Sequence, residues 1–299
     1  MAVELRALLR FDNLVAKGAL LWHDAPPRNV AAVPFDFEFR IAKCLSHKPM
    51  DPVNAKRKTA FEDSDPDFVV LEQVGARYRL ILNKYCVVRP QFVLHTQCLK
   101  PQTALLDFDD IHAAWTALDH LGENYVAIYN GGKDAGASIG HKHLQILPRP
   151  SSFGLDFLIM KYLRCEADNK DEKNGISRSA RQLKLATLLS EVPYQLGVRG
   201  LSDGIDSSTV HNTYNELQEK LSLDHDSPNN LILTRDYIML IPRHRAHIDQ
   251  ISGYIANAAA MMGMVWVQSE NLFEGWLQYG PMRVLNAQTR PRNGAQGVP

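Results

Sequence analysis

Two imidazoles and a side-chain amide stand at alternate positions in His141-Lys142-His143-Leu144-Gln145-Ile146-Leu147. In an extended chain this spacing puts His141, His143, Gln145 and Leu147 on one face and Lys142, Leu144 and Ile146 on the other. Three readings fit such a face. Two histidines can supply two metal ligands, although Gln145 is a poor partner for zinc. They can satisfy a polar cavity. Or one neutral imidazole can attack phosphorus, with the Gln145 amide bonding the charge that develops and not competing as a base. The preceding loop, Asn130-Gly131-Gly132-Lys133-Asp134-Ala135-Gly136-Ala137-Ser138-Ile139-Gly140, favours the third reading, because its glycines allow backbone N–H groups to approach a phosphate.

The elements that must hold this face alternate between short apolar runs and helical patterns. Tyr125 to Tyr129 reads as a buried strand directly before the loop. Upstream, Phe35 to Ile41, Phe68 to Leu71, Tyr78 to Leu82 and Phe92 to His95 read as strands. Leu5, Leu8, Leu9, Phe11 and Leu14-Val15 predict a first helix, and Leu106 to Leu121 a second, with Asp107, Asp109 and Asp110 near its start. Downstream, Asp206 introduces a helix over Val210 to Leu223, and Asn230 to Thr234 and Tyr237 to Ile241 straddle Arg235-Asp236 as a hairpin. The small-residue stretch Asn257 to Gly263 precedes a strand Met264 to Val267, and a helix over Glu270 to Leu277 closes the core. Arg243 to His247 reads as an exposed basic loop, Ser190 to Thr209 as a mixed stretch, and Gln288 to Pro299 as a loose tail. The charged stretches from Asp51 to Asp67 and from Asp168 to Arg178 read as solvated surface. Trp115 and Trp266 are expected in the core. Without strict βαβ alternation, the fold class is α+β with mainly antiparallel sheet and flanking helices.

Thirty-three basic residues balance 33 acidic ones, so no global field favours nucleic acid or an anionic membrane, and phosphate must be held by local groups. Cys44, Cys86, Cys98 and Cys165 form no C-x-x-C pair, which argues against a cysteine zinc site and for a reduced compartment; a cytoplasmic protein is expected, with the nucleus as a second location. No apolar run is long enough for a membrane span.

The wording of these segments resembles a family. His141-Lys142-His143-Leu144-Gln145 is similar to the H-x-H-x-Q signature of the nucleotidyltransferase branch of the histidine-triad superfamily. Ser46-His47-Lys48-Pro49, Leu82 to Val88, Tyr129-Asn130-Gly131-Gly132, Gly136-Ala137-Ser138, Leu231 to Asp236, Leu240-Ile241-Pro242-Arg243 and Asn257 to Met264 resemble, in order, segments of the diadenosine tetraphosphate phosphorylase (ATP adenylyltransferase) family. The resemblance implies a histidine-triad-like fold in one catalytic domain, residues 1–165 carrying the nucleotidyltransferase core and 205–287 completing the site. It implies His143 as the nucleophile that takes an adenylyl group, Gln145 on the phosphates, and His141 orienting His143 or shaping the pocket. Gly136, Ala137, Ser138 and Ile139 become the phosphate-facing loop. Lys48, Asn83, Lys84 and Asn130 line the nucleotide site, and Asn257, Ala258, Ala259 and Met264 the second contacting segment. Gln268 stands where the family usually has a cation. The implied ligands are a dinucleoside polyphosphate, ATP, ADP and inorganic phosphate, with a divalent cation such as Mg²⁺ riding on the phosphates and no metal cage in the protein. A monomer is expected. A related hydrolase, a hexose-1-phosphate uridylyltransferase-like enzyme and a non-catalytic nucleotide sensor are the alternatives.

Overall fold

Alternation along three central strands decides the architecture. The computed structural model describes residues 2–47, 61, 65–150, 152–163, 189–244 and 254–292. Lys48, His247, and the charged stretches over 51–60 and 168–178 lie outside them.

In chain order the elements are α1 (Val3–Ala16), β1 (Arg28–Val30), β2 (Phe37–Ile41), β3 (Val69–Val74), β4 (Tyr78–Leu82), β5 (Phe92–Thr96), α2 (Phe108–Leu121), β6 (Tyr125–Gly131), β7 (His143–Pro148) and α3 (Gly154–Leu163). Then come β8 (Gly197–Gly200), α4 (Ser207–Lys220), β9 (Asn229–Leu233), β10 (Tyr237–Pro242), α5 (Ala258–Met261), β11 (Met264–Val267), α6 (Glu270–Tyr279) and α7 (Pro281–Ala287). Eight strands form one sheet in the order β3-β4-β5-β7-β6-β9-β10-β8, antiparallel throughout. A small second sheet, β1-β2-β11, holds the parallel pair β2–β11. This is the α+β class that the sequence predicts.

Tyr125, Ala127 and Tyr129 of β6, Leu144 and Ile146 of β7, and Leu231 and Leu233 of β9 enter a core covered by α1, α2 and α4. The alternate residues, Val126, Ile128, Leu147 and Ile232, enter a second core beneath α3, α5, α6, α7 and the small sheet. The main sheet is therefore buried on both faces, which is why its central strands read as continuous apolar runs. The pairing of β6 with β9 places Asn130 opposite Asn230 and joins N-terminal to C-terminal strands in one ladder.

Three local expectations are corrected. In α1 the buried face is Ala7, Phe11 and Leu14, while Leu5 and Leu9 are about half exposed. β8 runs along a sheet edge with glycine at both ends, and too little apolar pattern marks it as a strand. Finally, α7 begins at Pro281 after Gly280 and carries Gln288 and Thr289 into the interior, so the last segment is anchored at least that far.

Candidate active site

β7 lies between β5 and β6, and its ladder with β6 stops at Leu144 opposite Tyr129. At the next step, Asn130 and His143, the buried amide of Gln102 stands between the strands. Its Oε1 accepts the His143 N–H at 2.7 Å, and its Nε2 donates to the carbonyls of His143 at 3.0 Å and Asn130 at 2.9 Å. Three backbone groups that an opened strand pair would leave buried and unpaired are thereby satisfied.

The His143 ring is oriented by its own chain. Nδ1 lies 2.8 Å from the His141 carbonyl, which can only accept, so Nδ1 carries the hydrogen and the neutral ring has its lone pair on Nε2. The His141 ring lies 2.8 Å from Thr96 Oγ1 through its Nε2. A third histidine joins them: His95 of β5 is opposite His143 and therefore on the same sheet face. Its Nδ1 donates to the Thr96 carbonyl at 2.9 Å, and its Nε2 is buried with no hydrogen-bond partner among the described residues. Burial pushes the His95 imidazole down to about 4, so it is neutral at neutral pH. The Phe61 ring stacks on His95 at 4.8 Å and lies 5.4 Å from each of His141 and His143.

A relay of amides fixes Gln145. Gln91 Oε1 accepts the Val87 N–H at 3.1 Å, so its Nε2 faces Gln145 and donates to Gln145 Oε1 at 2.8 Å. The NH₂ of Gln145 is the end left over, a donor at the wall of a cavity of about 380 Å³. Asn83, Asn257, Trp266 and Gln268 line the same cavity with it. Asn83 holds its Oδ1 on the Tyr85 N–H, and Asn257 caps α5 by accepting from Ala260 N. Trp266 is half-buried with Nε1 lacking a hydrogen-bond partner among the described residues, so it is a wall residue and not pure core. Trp115 is core, with the Arg235 guanidinium 3.7 Å over its ring.

Other predicted residues stand behind this wall. Asn130 is buried, and its Oδ1 accepts the Ala258 N–H at 2.8 Å and the Asn230 side chain at 2.9 Å. Ala258 and Ala259 are fully buried in the second core, leaving Ala260 at the cavity. Gly136 has φ +90°, and a Cβ there would sit 2.9 Å from Ala256 O and Asn257 Cα, so the loop can touch this segment only through glycine. The Gly136 and Ala137 amides close the loop's own turn onto Lys133 and Gly132, which removes two of the expected phosphate donors. Ser138 is half-buried, and Ile139 packs on the first core. Lys84 is exposed, with its carbonyl accepting from Leu21 N. Met264 lines a neighbouring cavity with Arg40, Arg89 and Arg149.

The basic loop is corrected at its first residue. Arg243 is 1% exposed, donates to Asn230 Oδ1 at 2.6 Å and to Gln288 O at 3.0 Å, and is pushed down to about 9 by burial. His244 is exposed as expected. Sequence reading missed Gln91, Gln102, His95 and Phe61. Gln91 and His95 are polar residues beside or in an apolar strand, Gln102 lies in the turn after it, and Phe61 lies in the charged stretch read as solvated surface yet is buried. Their roles gain meaning only once β5 is paired with β7.

Comparisons with known proteins bear on the family and the fold. The sequence model of the Ap4A phosphorylase N-terminal domain matches residues 13–160, and that of the ATP adenylyltransferase C-terminal domain matches residues 190–291. Two Saccharomyces cerevisiae proteins are similar. Diadenosine 5',5'''-P1,P4-tetraphosphate phosphorylase 2 is 25% identical over 256 residues, 78% of this chain and 76% of that one. Protein APA1 is 24% identical over 255 residues, 77% of this chain and 76% of its own. The crystal structure of yeast Ap4A phosphorylase Apa2 in complex with Ap4A superposes with a TM-score of 0.75 at 21% identity, covering 97% of this chain and 98% of that one. Its complex with AMP gives a TM-score of 0.74 at 22% identity, covering 99% of each. Both halves of the two-part family pattern are thus matched in order and the whole fold is shared, and the chain belongs to the Ap4A phosphorylase family of ATP adenylyltransferases, which are nucleotidyltransferases.

Proposed function

We propose that the chain cleaves diadenosine 5',5'''-tetraphosphate by phosphorolysis. His143 Nε2 attacks the α-phosphorus, the α-phosphorus–oxygen bond to the rest of the chain breaks, and ATP leaves. A phosphate oxygen then attacks the adenylyl-His143 phosphorus, the N–P bond breaks, and ADP is released. The observation that carries this reading is the Nδ1–H bond from His143 to the His141 carbonyl, since it places the lone pair on Nε2. In this reading the carbonyl of His141 serves as the orienting group.

Gln145 supports it as a donor held by Gln91 and aimed at charge that grows on the phosphoryl oxygens. Asn83, Asn257 and Gln268 give the cavity further neutral polar groups for the polyphosphate. Lys48 and Lys84 are the cations that the resemblance assigns to the nucleotide, and their role in this reading is to neutralise its phosphates. A divalent cation such as Mg²⁺ enters with the nucleotide as part of the substrate. Among the described residues no group of three or more His, Cys, Asp and Glu is placed to hold one.

The test is product analysis with α-labelled diadenosine tetraphosphate, with and without phosphate. Phosphate-dependent ADP and a labelled protein adduct are expected in the wild type. His143→Ala should lose the adduct and at least about a thousandfold in kcat. An adduct that persists in His143→Ala sinks the assignment, and AMP formed at the same rate without phosphate makes the protein a hydrolase.

A further inference from the structure

The flanks of His143 differ in polarity. Toward Gln145 lies the cavity, with amides able to meet an anion. Toward β5 lie His95 and, over it, Phe61, which is 6% exposed and whose ring centre lies within 5.4 Å of those of all three imidazoles. His95, His141 and His143 are themselves 2%, 2% and 5% exposed, so this flank is closed to bulk water. Position 95 is opposite His143 and position 93 opposite Gln145, and Val93 continues the apolar surface along the same face.

We propose that Phe61, seated on His95, determines the acceptor of the adenylyl group by shielding the adenylyl-His143 phosphoramidate from water, so that phosphate arriving through the polar cavity resolves it. The inference rests on the adenylyl-transfer reading above. An N–P bond to an imidazole has a good leaving group, and water is far more abundant than phosphate, so discrimination needs water kept from the phosphorus. An aromatic wall on one flank and hydrogen-bond donors on the other meet that need, since phosphate can bond the donors while a stray water finds no partner on Phe61. A neutral His95 completes the wall, because a charged imidazole would draw water into it.

The balance of products reads this directly. With water as acceptor, its oxygen bonds the phosphorus, the N–P bond breaks, and AMP appears with release of a proton; with phosphate the product is ADP. The ratio of AMP to ADP at fixed phosphate does not depend on the fraction of protein that folds. Phe61→Ala should raise it roughly tenfold, the factor that about 1.4 kcal/mol of lost discrimination produces. Phe61→Gln, similar in reach but polar, should move it in the same direction and serves if the alanine variant is insoluble. The isolated adenylyl-protein should also decay faster in phosphate-free buffer in either variant. A phosphate-dependent wild type together with unchanged ratio and decay in both variants overturns this inference alone. A wild type that releases AMP whether or not phosphate is present overturns the phosphorolysis reading and this one with it.

Discussion

Both faces of the chain through β7 and the residue just before it carry polar side chains, and they use them in opposite ways. On one face His143 and Gln145 are gripped from behind, by the His141 carbonyl and by Gln91, and Gln145 keeps a donor for the cavity. On the other face Lys142, 2% exposed, puts its ammonium on Asp110 and the Leu105 carbonyl, and Tyr78 donates to the same carboxylate at 2.8 Å. Asp110 also completes a reciprocal cap with Asp107 at the start of α2. Charge on this second face is cancelled locally. The cation nearest the nucleophile in sequence is therefore kept from phosphate by a period of two, and proximity along the chain says little about a site built on a strand.

The largest effect should come from breaking the closed face. Lys142→Met leaves the Asp110 charge buried without its ammonium and should cost about 3–5 kcal/mol of stability. Denaturant unfolding checks this, and Lys142→Met with Asp110→Leu should recover part of it. The kcat of the folded fraction should change little; a collapse in kcat at unchanged stability would place Lys142 in the site and erase the contrast. The open face should behave in reverse. Gln145→Leu removes the donor that Gln91 aims and should lower kcat by about 10²–10³-fold with little change in unfolding midpoint. Gln91→Leu should act in the same direction more weakly, because the Gln145 amide can then turn over.

Acid should find the open face next. His95 has its folded value near 4 because of burial, against about 6.5 for a free imidazole. Below 6.5 the unfolded chain takes up a proton that the folded one refuses until about 4. Stability from this group is thus complete above 6.5, falls as pH drops from 6.5 to 4, and is constant below. The loss is roughly 3 kcal/mol over that window. His95→Leu should flatten the wild-type curve there, and parallel curves would show that His95 takes its proton in both states alike.

How much of this was legible follows from range. The H-x-H-x-Q spacing, the strand parity and the Asp206 cap are local, and each stands in the structure as the sequence implies. Gln102 and Gln91 act across strands, 41 and 54 residues from the groups they hold, and nothing near them in sequence marks that distance. Arg243 is the sharpest failure. Its neighbours His244 and Arg245 suggest an exposed basic loop, yet Asn230 and the Gln288 carbonyl, which come from β9 and the end of α7, draw it fully inside. Polar residues bury when partners converge on them, and convergence is a property of the fold.

The smallest expected effect sharpens the comparison at the cavity rim. Gln268 is exposed, lines the cavity, and reaches the Leu45 carbonyl only at 3.5 Å. An ammonium at this position would meet the polyphosphate in high dielectric, where an exposed pair is worth about 0.2–1 kcal/mol. Gln268→Lys should therefore lower KM for diadenosine tetraphosphate by at most about fivefold and leave kcat unchanged, since an exposed charge binds ground state and transition state alike. The gain should fade as salt rises toward about 1 M, where the screening length falls to about 3 Å. A KM that is unchanged at every ionic strength would mean that position 268 does not face the phosphates, and the polar wall would then end at Gln145 and Asn257. A rise in kcat would mean instead that charge at this rim follows the phosphorus through the transition state, and the division between a binding rim and a catalytic strand face would have to be redrawn.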